Sequence, residues 1–151
     1  MTTTPLSAIA GIRIRRPPAD VFHAFADAAE MSKFWFTRRD DGLIEGEPCT
    51  WYLGSAEDAF SFEVDVIEVD RPHRLVIDWG HEDTRARVTW TFEADGDGHT
   101  MLRIEETGYT GDADAIVTRA LDSTGGFNQV AVAAKAMLEY GAALNVVADH
   151  A

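Results

Sequence analysis

Strict alternation of apolar and polar residues between Phe60 and Glu106 restricts the folds that this chain can adopt. From Phe60 to Val66 every second side chain is apolar, and the side chains between them are acidic or hydroxyl-bearing. This two-residue period predicts strands with one apolar and one wet face, as in an antiparallel sheet. Asp95-Gly96-Asp97-Gly98 has the composition of a hairpin turn. The predicted strands are 60–70, 74–79, 85–92 and 101–106.

The residues before these strands predict one further strand and two short helices. Residues 8–16 alternate in the same way, and Pro17-Pro18 end that run. Asp20 lies near a predicted helix start, because apolar residues follow it at helical spacing. A second short helical piece is expected around residues 31–35. The polar, glycine-containing tract from Arg38 to Glu47 is interpreted as a turn or a sheet edge.

The period changes again near the C-terminus. From Ser123 to Ala148 the apolar residues follow a helical period, with Phe127 on the predicted inner stripe. Ser123 or Thr124 is the expected N-cap. The acidic stretch 111–122 is interpreted as a lid or as a surface connection.

The order of elements decides the fold class. One sheet must cover its apolar face, and the C-terminal helix is the only long amphipathic element in the sequence. The sequence therefore predicts an α+β fold, in which a curved antiparallel sheet wraps around that helix and two short helices follow the first strand. A chain of about 150 residues suits a single core, so 1–151 is expected to be one domain.

Composition and charge argue against several classes of partner. Thirteen basic and 26 acidic residues give a net charge of −13 and a pI near 4.6, which disfavours binding to nucleic acids and anionic membranes. No apolar run is as long as a membrane span, and the single cysteine needs no oxidising compartment. The histidines lack the spacing of metal ligands. We expect a cytoplasmic protein without a metal or cofactor.

Four segments together resemble a known superfamily. They are 14–36, 67–79, 88–109 and 123–145, and they cover most of the chain. The chain resembles the START-related, Bet v 1-like (SRPBCC) helix-grip proteins, and within them the activator of Hsp90 ATPase homologue 1-like family. The resemblance implies a cavity between sheet and helix, often used for lipids, sterols, polyketides or hormones. It does not imply one activity, because the superfamily includes carriers, cyclases, oxygenase domains and cochaperone domains.

Two glutamates are candidates for chemistry. Glu106 is in phase with Leu102 and Ile104 and should face the apolar side, where an unpaired carboxylate is costly. Glu68 shares the phase of Val66 unless a bulge intervenes. Either side chain could bind a polar ligand group or act as an acid or base. The alternative is that both lie at the sheet margin and accept hydrogen bonds from loops or from arginine.

Aromatic residues are the candidate cavity wall. Walls of this kind suit an apolar ligand, although the same side chains also fill ordinary cores. Tyr109 follows a predicted strand near the expected cavity mouth, where its hydroxyl could donate to a ligand. The full set of candidate ligand-binding residues is Trp35, Trp51, Phe62, Glu68, Trp79, Trp90, Glu106, Tyr109 and Phe127.

These sequence features are compatible with three functions. The first hypothesis is a binding module for a hydrophobic or amphipathic small molecule. The second is a small cyclase-, hydrolase- or dehydratase-like enzyme with Glu106 as acid or base; it is less favoured, because the sequence has no recognisable nucleophile–base pair. The third, by family analogy, is a stress-related protein that contacts a chaperone. Edge strands of this fold can pair between subunits, so a homodimer is a further alternative.

Overall fold

A computed structural model describes residues 5–36, 38–39, 43–53, 57 and 59–150. Three helices and seven strands are found there, together with one 3₁₀ turn at Glu82–Thr84. The elements in chain order are β1 (Ala8–Ile14), α1 (Pro18–Ala26), α2 (Ala28–Met31), β2 (Arg38–Arg39), β3 (Pro48–Leu53), β4 (Phe60–Asp70), β5 (Arg74–Trp79), β6 (Ala86–Ala94), β7 (Thr100–Thr107) and α3 (Ala113–Tyr140).

The described strands form one antiparallel sheet in the order β1-β7-β6-β5-β4-β3-β2. The curved sheet and the long C-terminal helix confirm the predicted α+β fold. The alternating residues of β5, β6 and β7 bury their apolar side chains in one core, which helices α1 and α3 also line. On the outer face, Arg87 of β6 pairs with Asp78 of β5 at 2.8 Å, and Arg85, just before β6, pairs with Asp65 of β4.

The C-terminal helix has other bounds than predicted. It begins at Ala113, because the Asp112 carboxylate caps it by accepting from the Ala115 amide at 2.8 Å. It ends at Tyr140, where Gly141 adopts a left-handed conformation with φ of 67°. The predicted start at Ser123 and end at Ala148 are therefore both wrong. Most of the stretch interpreted as a lid or connection is the first part of α3.

Helix α3 also closes one edge of the sheet. Asn128 Nδ2 donates to the Ile9 carbonyl at 3.3 Å, and Lys135 Nζ donates to the Arg13 carbonyl at 2.8 Å. The Arg15 amide donates to Glu139 at 3.0 Å. Backbone carbonyls on the edge of β1, which could otherwise accept hydrogen bonds from another strand, thus accept them from side chains of α3. A dimer that pairs through β1 would have to displace these contacts.

Strand β3 and a buried arginine beside it were not predicted from the sequence. Arg39, in the tract interpreted as a turn or edge, lies in β2 opposite Trp51 and is only 5% exposed. Its guanidinium donates to the Phe25 carbonyl at 2.9 Å and to the Ala26 carbonyl. Arg39 therefore binds the last carbonyls of α1 and ties that helix to the sheet.

Two consecutive glycines lie inside α3, and replacing one of them should stabilise the fold. Gly125 is exposed, and a Cβ built there meets no atom within 4 Å. Gly125→Ala is therefore expected to raise the free energy of unfolding by about 0.5–1 kcal/mol, because alanine loses less backbone entropy in a helix. Urea denaturation of both proteins measures this difference, and an unchanged midpoint would contradict it.

Candidate functional site

A pocket of about 360 Å³ opens between α3, the aromatic end of the core and the C-terminal residues 146–150. After Gly141 the chain returns along α3, and His150 Nδ1 lies 3.4 Å from Gln129 Oε1. The returning segment places two valines over the aromatic core. The pocket is lined by Trp35, Phe36, Leu53, Trp79, Asp122, Ser123, Gly126, Phe127, Gln129, Val130, Val146, Val147 and His150.

Aromatic rings form the wall of this pocket. The rings of Trp79 and Phe127 stack, with centroids 5.7 Å apart and planes 29° apart. Trp35 contacts both of them, at 5.9 Å from Trp79 and 6.2 Å from Phe127, in edge-to-face geometry. Ring pairs at these separations are mutually attractive. The aromatic wall is therefore a rigid surface made by three different parts of the chain.

A buried carboxylate lies directly behind Trp79. Glu106 is 1% exposed, in β7, as its alternation phase indicated. Trp79 Nε1 donates to Glu106 Oε2 at 2.5 Å, and the Tyr109 hydroxyl donates to Glu106 Oε1 at 2.9 Å. Both oxygens of Glu106 thus accept a hydrogen bond from a neighbouring side chain. Glu106 fixes the orientation of Trp79 and is not among the residues that line the pocket.

Three of the candidate residues from the sequence line the pocket: Trp35, Trp79 and Phe127. Trp51 and Trp90 lie deeper, each 1% exposed, and contact Trp35 at 5.4 and 6.0 Å. The remaining candidates, with the exception of Glu68, lie around this cluster. Phe62 packs against Trp79 at 5.6 Å, Tyr109 is half-buried, and Glu106 joins Tyr109 to Trp79.

Glu68 is not brought to this site. The register of β4 against β5 shifts between Val66 and Glu68, so that Glu68 pairs with Val76 instead of continuing the phase of Val66. Paired residues of an antiparallel ladder share a face, and Val76 lies between two inward-facing neighbours. The bulge therefore turns Glu68 to the outer face, where it pairs with Arg74 at 2.7 Å. The expectation that Glu68 faces the cavity is wrong.

Several pocket residues were missed because the helix bounds were misjudged. Asp122 and Ser123 were assigned to a connection or a cap, whereas both lie inside α3 and line the pocket. Val146 and Val147 were assigned to the helix but lie in the returning segment. Gly141, with polar or small residues after it, was the available signal for that reversal.

The Tyr109–Glu106 contact predicts a pH dependence of stability. Burial, followed by the nearby charge of Glu106 and its hydrogen bond, raises the pKa of Tyr109. An unfolded tyrosine ionises near pH ~10, so above that pH the folded chain holds a proton that the unfolded chain has lost. The contribution of Tyr109 is present below pH ~10 and is lost as the pH rises further.

The variant Tyr109→Phe tests this dependence. We expect the stability difference between the parent and Tyr109→Phe to be larger at pH ~7 than at pH ~11. Denaturant titrations of both proteins at each pH measure it. A difference that stays constant, or grows with pH, would contradict the expected sign.

Two absences hold for the residues that the structure describes. No group of three or more His, Cys, Asp or Glu side chains there is arranged to hold a metal ion. No helix in those same residues is long and apolar enough to cross a membrane.

Solved structures with the same fold include a protein from Staphylococcus saprophyticus, with 21% identity, a TM-score of 0.76, and coverage of 93% of this chain and 96% of the other. The Aha1 dimer from Colwellia psychrerythraea has 12% identity, a TM-score of 0.71 and coverage of 90% and 98%. An HSP90 activator from Plasmodium falciparum has 19% identity, a TM-score of 0.66 and coverage of 90% and 96%. These identities show the fold alone.

The sequence comparisons add the family. A search of curated proteins found no match. Residues 15–139, which are most of the chain, match the family described as Activator of Hsp90 ATPase homolog 1-like protein. This match confirms the resemblance that the four sequence segments indicated. The chain belongs to the Activator of Hsp90 ATPase homolog 1-like protein family.

Proposed function

We propose that this protein binds a hydrophobic or amphipathic small molecule in the pocket between the sheet and α3. The observation that carries the proposal is the aromatic wall of Trp35, Trp79 and Phe127, which opens to a pocket of about 360 Å³. Ligand pockets commonly measure ~300–1,000 Å³ and combine apolar walls with a few polar groups. Asp122, Ser123, Gln129 and His150 supply the polar groups here.

The glycine at position 126 leaves room in this pocket. Gly126 lines the wall, and a Cβ built on it meets no atom within 4 Å. A helix interior normally disfavours glycine by about 1 kcal/mol relative to alanine. Open space at this position is therefore available to a ligand, and a larger side chain would occupy it.

The enzyme hypothesis has less support. Glu106, its expected acid or base, is 1% exposed and hydrogen-bonded through both oxygens. Glu106 does not line the pocket, whereas its hydrogen-bond partner Trp79 does. A general acid or base must come within hydrogen-bond reach of the reacting atom, directly or through one water. We therefore assign Glu106 to positioning Trp79 and not to proton transfer.

Fluorescence titration with N-phenyl-1-naphthylamine, an uncharged aromatic probe, tests the proposal. We expect saturable binding to the parent protein, and a loss of at least ~10-fold in affinity for Gly126→Leu, because the leucine fills the pocket. Gly125→Leu is the matched control, since it changes the neighbouring, exposed residue of the same helix. Equal binding by the two variants, or no saturable binding to the parent, would overturn the proposal.

Contact with a chaperone is a second candidate function, and family membership is the observation that favours it. Among the structural relatives, one is an HSP90 activator. Titration of this protein into an Hsp90-type ATPase tests the candidate. A saturable rise in ATP turnover would support it, whereas an unchanged rate at saturating protein would dismiss it.

A further inference from the structure

We propose that the pocket selects amphiphiles with a cationic end, such as an alkyl- or arylammonium, over carboxylates of the same shape. This inference rests on the proposed function and adds the chemical class of the ligand. Three observations support it: the aromatic wall, the buried carboxylate behind that wall, and the charges at the rim.

The aromatic wall favours a cation. The stacked pair Trp79 and Phe127, together with Trp35, surrounds one end of the pocket, with all centroids within 6.2 Å of one another. The face of an aromatic ring carries the negative part of its quadrupole and attracts cations, and tryptophan is the strongest ring for this interaction. The stacking of Trp79 on Phe127 covers one face of each ring, so an ammonium group would be attracted by the ring faces that remain open to the pocket.

The buried carboxylate strengthens this preference. Glu106 accepts the indole N–H of Trp79 at 2.5 Å, on the edge of a ring that lines the pocket. Its two direct hydrogen-bond partners, Trp79 and Tyr109, are both uncharged. Charge inside a protein is screened much less than charge in water, so the carboxylate contributes a negative potential beyond the ring.

The side chains at the rim of the pocket add a further negative charge. Asp122 is the acidic residue that lines the pocket, and His150 is the only other titratable group there among the described residues. No lysine or arginine within the described ranges lines it. Two cations have partners outside the pocket: Arg119 donates to the Thr84 carbonyl and lies 5.7 Å from the centroid of the Tyr109 ring, and Lys33, in an adjoining groove, pairs with Glu30 at 2.8 Å. A ligand carboxylate would lose its hydration without meeting a cationic partner.

Three ligands with one skeleton test the inference. Phenylbutylammonium, phenylbutanol and phenylbutanoate are titrated as competitors of the uncharged probe at pH ~8, where imidazole groups are neutral. We expect the ammonium to bind tightest and the carboxylate weakest, with at least ~10-fold between them. Binding of phenylbutanol without a preference for the ammonium would overturn this inference and leave the proposed function standing. If neither the probe nor any competitor binds, the proposed function fails and this inference with it.

Two variants locate the source of the preference. Asp122→Asn should reduce the ratio of ammonium to carboxylate affinity by about threefold or more, because one rim charge is removed. Asp97→Asn changes the net charge equally at the exposed hairpin and should leave the ratio unchanged.

Glu106→Gln should reduce the same affinity ratio, because it replaces the carboxylate next to Trp79 with an uncharged amide. Its amide oxygen can accept from Trp79, and its amide nitrogen can donate to the Tyr109 oxygen. If Glu106→Gln does not fold, Asp122→Asn still decides the outcome, since Asp122 is exposed on α3. Ratios equal to the parent in both pocket variants would overturn the electrostatic inference.

Discussion

Replacing Arg39 with alanine is expected to lower the free energy of unfolding by about 3–5 kcal/mol, because two buried carbonyls lose a charged donor and each buried group left unpaired costs ~1–3 kcal/mol. The guanidinium is 5% exposed and donates to the Phe25 and Ala26 carbonyls at the end of α1. It also lies 5.6 Å from the centroid of the Trp51 ring. Alanine would leave two carbonyls without these donors and a cavity beside an aromatic ring.

Burying the charged Arg39 side chain costs free energy of desolvation, and its hydrogen bonds to carbonyls offset part of that cost. Desolvation lowers the pKa of Arg39 to about 10, so the group is still charged at neutral pH. A buried charge needs hydrogen-bond partners, and the carbonyls at the end of α1 bind the two terminal nitrogens of Arg39, whereas its buried Nε has no partner within the described residues. Arg39 therefore stabilises one particular placement of α1 against β2 and β3.

Denaturant unfolding measures this effect against a matched arginine on the outer face. Arg87→Ala removes an exposed pair with Asp78 and should lower stability by only ~0.2–1 kcal/mol. Arg39→Lys should fall between the two, because lysine keeps the charge but lacks the forked donors. Equal losses for Arg39→Ala and Arg87→Ala would show that the buried contacts contribute little.

Removal of the Glu106 side chain should have an effect of similar size. Glu106→Ala leaves the Trp79 N–H and the Tyr109 hydroxyl without their acceptor and opens a cavity under the aromatic wall. Each buried group left unpaired costs ~1–3 kcal/mol, so we expect a total loss of about 3–4 kcal/mol. The pocket should also lose affinity for the uncharged probe, because Trp79 is no longer held in place.

The conservative variant separates hydrogen bonding from charge. Glu106→Gln can keep both hydrogen bonds, so we expect it to lose only ~1 kcal/mol and to bind the uncharged probe as the parent does. Thermal or denaturant unfolding and the probe titration measure both effects. Similar losses for alanine and glutamine would contradict the assigned role of Glu106 as a hydrogen-bond acceptor for Trp79.

The sheet and the direction of Glu106 were predictable because alternation is a local property of the sequence. Glu106 keeps the phase of Leu102 and Ile104, and β7 has no irregularity that would break the phase. Glu68 has the same pattern, but a register shift in β4 reverses its direction. Such a bulge depends on the pairing of two strands and leaves no mark in the alternation itself.

The pocket was less predictable because chain reversals and tertiary contacts define it. The acidic composition of 111–122 favoured a lid or connection, so the first part of α3 was not predicted, although the Asp112 carboxylate caps the helix there. The burial of Arg39 could not be foreseen, because its carbonyl partners are more than ten residues away in the sequence. The periodicity of apolar residues thus predicts which face of a strand or helix is buried. The contacts that shape the pocket join residues far apart in the sequence, so periodicity does not predict them.

Chemical-shift mapping with the uncharged naphthylamine probe tests the central claim most directly, because it reports where a ligand binds. We expect the largest changes at the indole N–H of Trp79 and at the backbone amides of Gly126 and Val147, all of which belong to the pocket wall. Gly126→Leu should abolish these changes, and Gly125→Leu should retain them. Ligand binding in this pocket is contradicted if the probe causes no changes, or if the changes cluster elsewhere, such as the groove beside Pro18 and Pro72.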